Sequence, residues 1–173
     1  MLRNTFLHVP GIGEKTERKI WDSGVKTWND FLKSSGNLDI GKRKEEKLEN
    51  YIQRSLKCEE ENDYTFLKQN LPSAAHWRTY REMMEEDRCG FLDIETTGLS
   101  KTKNEVTVIG LYDGSESKIY VKGKNLNKFV EDVKEYDLLV TFNGKRFDLP
   151  FIRNHLEDVS FNAFHVDLMY DLR

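Results

Sequence analysis

At Arg88 the spacing of apolar residues changes period, and that change limits the folds open to this 173-residue chain. Before it, apolar positions recur at helical spacing among many charges. After it they alternate, or run together over four or five residues, as in strands. Residues 90–95, 105–112 and 118–122 are expected as strands, with a turn at Asp113-Gly114 closing the last two into a hairpin. A helix is expected over 126–136, with Phe129, Val130 and Val133 on one face. The apolar run 138–142 predicts a strand buried on both sides. A helix over 147–156 and a strand over 163–169 complete the pattern. Three strands, then a helix, a strand, a helix and a strand, make an α/β domain over 89–173: a mixed sheet flanked by helices.

The front of the chain predicts a small all-helical module over 1–57. Pro10-Gly11-Ile12-Gly13 is a tight turn opening a helix from Glu14, which Gly24 ends. Trp28, Phe31 and Leu32 suggest a second helix. A weak repeat follows, with residues 12–20 aligning with 40–48, both an Ile-Gly turn that opens a charged helix. Ile12, Ile20, Trp21, Trp28, Phe31, Ile40, Leu48 and Ile52 are the expected core. Residues 58–88 read as a helical connector broken at Leu71-Pro72. Ser73 is expected to cap a helix whose Trp77 and Tyr80 pack on the domain that follows.

Bulk properties narrow the function classes. The net charge of −3 gives no global attraction to nucleic acid, so any such contact must be local. Cys58 and Cys89 are far apart in sequence, which argues against a zinc site or a disulfide framework. No apolar run approaches the ~18 residues of a membrane span, and the N-terminus lacks a signal pattern, so a cytoplasmic protein is expected.

Asp93-Ile94-Glu95 ends the first predicted strand. Alternation puts both carboxylates on one face, where they repel unless a cation or a proton lies between them. Asp148 follows the apolar strand and the Asn143-Gly144 turn, in the first turn of a helix. An acidic pair at a strand end and a first-turn helix acid are each unremarkable alone. Together with their aromatic flanks, they suggest a lined cleft.

The stretch from Phe91 through Asp93, Glu95, Thr96 and Thr97 to Leu99 resembles the first motif of the DEDD proofreading-type exonucleases, which have a ribonuclease H-like fold. The stretch from Thr141 through Asn143, Phe147 and Asp148 to Ile152 resembles their second. The set most similar is the YprB-like ribonuclease H-fold proteins. The resemblance implies a 3′–5′ exonuclease acting on single-stranded ends, with DNA favoured over RNA. It implies two divalent ions, Mg²⁺ or Mn²⁺, with Asp93 bridging them and Glu95 and Asp148 each completing one site. It places Asn143, Phe147 and Leu99 at the terminal nucleotide, and Thr96 and Thr97 at its sugar. Relatives carry a third motif, Tyr-x-x-x-Asp or His-x-x-x-x-Asp, on a late helix. His165 and Asp171 have the wrong spacing for it and Asp167 is expected on a strand, so the domain is expected to be C-terminally incomplete, without the fourth carboxylate, and on that account at best feebly active. His165 and Asp167 are expected to be structural. Residues 9–16 resemble the hairpin of helix-hairpin-helix modules, which implies nonspecific nucleic-acid contact through Gly11, Gly13, Lys15 and Lys19. The rival reading is a catalytically dead nucleic-acid-binding protein built on the same fold.

Overall fold

The structure, a computed structural model, describes residues 1–34 and 38–171. Residues 35–37, in the expected front module, and 172–173, at the end of the expected α/β domain, lie outside the described residues. The chain divides into two compact units, Met1–Arg78 and Thr79–Arg173.

The first unit is helical. After a 3₁₀ turn at Leu2–Asn4 come α1 (Glu14–Asp22), α2 (Trp28–Lys33), α3 (Lys42–Glu61) and α4 (Thr65–Asn70). Thr27 caps α2 in a full capping box with Asp30, whose carboxylate accepts the Thr27 N–H. Gly11 sits at φ +92°, a conformation open to glycine, and turns the chain into α1. The two repeats are alike locally. Thr16 and Glu17 donate to the Gly13 carbonyl, and Lys44 and Glu45 to that of Gly41. Of the expected core, Ile12, Ile20, Trp28, Phe31, Leu48 and Ile52 are buried, while Trp21 and Ile40 are half-buried. Leu32, expected to pack, is exposed, because α2 is too short to bury a second face. The chain from Ser73 to Thr79 is a 3₁₀ helix and not the expected capped α-helix. Trp77, within it, is 43% exposed.

Two buried polar groups stand out in this unit. Glu17 is 1% exposed and accepts from the Arg78 guanidinium at 2.8 Å, from the Phe6 N–H at 2.7 Å and from the Thr5 hydroxyl at 2.9 Å. That set satisfies a charge whose burial alone would be costly. His8 is fully buried, 5.1 Å from the Trp28 ring and 6.4 Å from that of Tyr51. Neither of its ring nitrogens has a hydrogen-bond partner among the described residues.

The second unit opens with α5 (Tyr80–Glu85) and continues β1 (Cys89–Thr96), β2 (Val106–Tyr112), β3 (Ser117–Val121), α6 (Phe129–Asp132), β4 (Leu138–Thr141), α7 (Asp148–His155), β5 (Phe164–Asp167) and α8 (Leu168–Asp171). The sheet order is β3-β2-β1-β4-β5. β1 pairs antiparallel with β2 and parallel with β4. The hairpin is therefore local, while the connections to β4 and β5 are crossovers carrying helices. Alternation on β1 sends Leu92 and Ile94 into a core with Ile109, Leu111, Phe129, Leu139, Leu149, Phe151 and Ile152. Asp93 and Glu95 are exposed on the other face. Two expectations shift. The predicted helix over 126–136 is one α-turn between two 3₁₀ turns. The last predicted strand ends at Asp167 and turns into α8, because the Asp171 carboxylate accepts the Asp167 N–H at 2.9 Å. No described helix is long and apolar enough to cross a membrane.

Candidate active site

Three segments converge at the C-terminal end of β1. The strand supplies Asp93, opposite Gly110 in the register with β2. The β4–α7 turn brings in Asp148 as the first residue of α7, only 3% exposed. Burial pushes the Asp148 carboxyl up to about 6, and the negative charges of Asp93 and Asp167 add to the shift. Its own backbone N–H and that of Ile94 oppose it by favouring the anion. Asp93 and Asp148 are thus close enough to repel, although they come from segments about 55 residues apart. This is a carboxylate held where only a proton or a cation makes it comfortable.

The turn carrying Asp148 has little freedom. A Cβ on Gly144 would lie 2.4 Å from the Thr141 side chain, so only glycine fits there. Asn143 adopts φ +62°, which asparagine tolerates better than most residues. Both are fixed by Asp167, a buried residue whose Oδ1 accepts the Asn143 N–H at 2.8 Å and whose Oδ2 accepts the Lys145 N–H at 2.9 Å. The Met169 N–H also donates to Asp167 at 3.2 Å, and Tyr170 donates to the Asn143 side chain at 3.4 Å. Asp167 is therefore the anchor of the turn, a role that sequence reasoning left at "structural". Its only sequence signal was an acid at a strand end. His165 sits 2.9 Å from the Thr141 hydroxyl.

The remaining predicted residues surround this point unequally. Glu95 is exposed on the face of Asp93. The Thr96 hydroxyl donates to the Gly98 carbonyl, and that of Thr97 accepts the Glu105 N–H, so both hold the loop after β1. Leu99 is 85% exposed at the tip. Phe147 is half-buried, its ring 5.1 Å from that of Phe151. Gly11, Gly13, Lys15 and Lys19 are exposed in the first unit. Phe142, expected inside a buried strand, lies just past the end of β4 and is 68% exposed. With Phe91, Tyr112, Ile119 and Val140 it lines a groove of about 410 Å³ that runs up to Asp93.

A divalent ion is what the resemblance implies. Among the described residues no three His, Cys, Asp or Glu side chains stand close enough together to cage one. The donor chemistry nonetheless fits a hard cation. Mg²⁺ is commonly held by one or two carboxylates, with waters and substrate phosphate oxygens completing its shell. Asp93 and Asp148 are such a pair, already in mutual repulsion.

Residues 90–173 match the family model described as RNase_H superfamily, and the second unit has the ribonuclease H-like mixed sheet with flanking helices. No curated protein matches the chain. It is similar to the family B DNA polymerase from the hyperthermophilic archaeon Pyrobaculum calidifontis, with 19% identity over 47% of this chain and 15% of the polymerase and a TM-score of 0.39. It is also similar to Brucella melitensis NrnC, with 21% identity over 45% of this chain and 40% of that one and a TM-score of 0.36. The chain covers well under two thirds of either.

Proposed function

We propose that the second unit is a metal-dependent nuclease of the DEDD type, hydrolysing phosphodiester bonds at single-stranded nucleic-acid ends in the 3′–5′ direction. The observation that carries this reading is Asp148, buried and with its pKa raised, placed at a helix start where it feels the charge of Asp93 on the central strand. Asp93 and Asp148 would hold a Mg²⁺ or Mn²⁺ ion with the substrate phosphate, and Glu95, on the same face of β1 as Asp93, would complete a second site only by closing on it. Bound ions would neutralise the phosphate and lower the pKa of a water enough to attack at neutral pH. Leu99 and Phe142, both exposed, offer apolar surface on which a terminal base can rest. Thr96 and Thr97 keep the adjoining loop in place, and Asn143 and Phe147 shape the turn at Asp148. In the first unit, the turn through Gly11 and Gly13, with Lys15 and Lys19, would add salt-sensitive backbone contacts.

One observation favours a second reading, a binding protein without catalysis: the described residues hold no three-ligand cage. A 5′-labelled single-stranded oligonucleotide incubated with Mn²⁺ separates the two. Stepwise shortening from the 3′ end that disappears in Asp93→Asn is the expected result. Retention of the oligonucleotide at full length, with binding intact, would establish the second reading instead.

A further inference from the structure

The first unit carries an aromatic pocket that the proposed nuclease chemistry does not use. It is an open groove of about 330 Å³ lined by Met1, Asn4, Trp21, Lys26, Trp77 and Arg78. That is near the lower end of ligand-pocket sizes, roughly 300–1,000 Å³, and suits one planar ring system with its substituent. The two indoles are held in place. Trp21 donates its ring N–H to the Asn4 carbonyl at 2.9 Å. The Arg78 guanidinium lies 5.4 Å from the Trp21 ring centroid and 5.5 Å from that of Trp77. Arg78 is itself fixed by Glu17 and by the Thr5 hydroxyl at 2.8 Å. Glu17 and Trp21 stand one turn apart on α1, so the buried ion pair sets the spacing of the aromatic walls.

We propose that this pocket binds one unpaired nucleotide of a single-stranded nucleic acid, its base against Trp77 and its phosphate at Lys26. The argument rests on what the lining offers and withholds. Exposed indole is costly in water, and every nucleobase presents a π face to it. The charged side chains in the lining are Lys26 and Arg78; the Arg78 charge is met by Glu17, so Lys26 supplies the attraction for an anionic guest. A neutral proline-rich peptide could cover the tryptophans but would leave Lys26 without a role. The inference deepens the nuclease reading by giving the same class of substrate a second foothold, away from Asp93.

Intrinsic fluorescence tests it on the full chain in EDTA, so that cleavage plays no part. The tryptophans are Trp21, Trp28 and Trp77, and Trp28 is fully buried. Titration with a mixed-sequence single-stranded oligodeoxynucleotide should quench the emission to saturation. An abasic strand of the same length, with phosphates and no bases, should bind more weakly and quench little. Trp77→Leu should weaken binding about 10-fold, in line with the stacking contribution of one base, without changing thermal stability. Lys26→Glu should weaken binding and lower its salt dependence. Equal quenching by the abasic strand, unchanged affinity in Trp77→Leu, or quenching by a proline-rich peptide and not by the oligonucleotide would each overturn the proposal. Absence of trimming in the Mn²⁺ assay would count against the nuclease reading and leave this titration unaffected.

Discussion

Asp148→Asn makes the metal-free protein more stable at neutral pH, by roughly 2–3 kcal/mol, the free-energy equivalent of the shift of its carboxyl to about 6. A carboxyl whose folded pKa is raised binds its proton more tightly folded than unfolded. The stability it confers is complete below the unfolded value of 3.8 and is lost as pH rises through about 6. Above that, the wild-type protein carries a buried anion facing Asp93 and Asp167, and asparagine removes the charge while keeping the shape. Thermal unfolding in EDTA should therefore show the variant ahead near neutrality, with the gap closing towards about pH 4. A variant less stable than wild type near neutrality would mean that Asp148 is a structural acid. Repulsion stored at a site that a ligand later relieves is the usual stability cost of function.

The first unit should respond to acid in the opposite sense. Burial pulls His8 down from 6.5 to about 4. The Thr5 backbone, outside hydrogen-bonding geometry, exerts the weaker pull towards the charged form. A histidine whose folded pKa is lowered adds no pH-dependent cost above 6.5, where both states are neutral. As pH falls from there to about 4 the unfolded chain takes up the proton first, and roughly 3 kcal/mol of stability is lost. Trp28 packs against His8 and reports the loss directly. Unfolding followed by tryptophan fluorescence, to which buried Trp28 contributes, should move to lower denaturant between about pH 7 and pH 4. His8→Leu should remove most of that dependence. An equally acid-sensitive His8→Leu protein would put the cause elsewhere.

The sheet was legible because the alternation along β1 and the buried, mostly apolar run of β4 leave few alternatives. Leu92 and Ile94 had to face away from Asp93 and Glu95, and they do. Short helices were misread where propensity is weak and tertiary context decides. The stretch from Ser73 tightened into 3₁₀ winding, and Asp167 turned the end of β5 into α8. The closeness of Asp93 and Asp148 followed from the order of motifs. The anchoring of the Asn143 turn by Asp167 did not, because carboxylate-to-backbone bonds across 24 residues have no periodicity to reveal them. The ion pair of Glu17 and Arg78, 61 residues apart, was hidden in the same way.

Calorimetric titration with Mn²⁺ in the absence of nucleic acid tests the central claim most directly. The wild-type chain should bind the ion, with the release of a proton when the titration is run below about pH 6, where the Asp148 carboxyl is largely protonated. Asp93→Asn and Asp148→Asn should each abolish the heat, and Asp113→Asn, a half-buried turn acid in the same unit, should leave it unchanged. Binding that survives loss of both Asp93 and Asp148 would contradict the account.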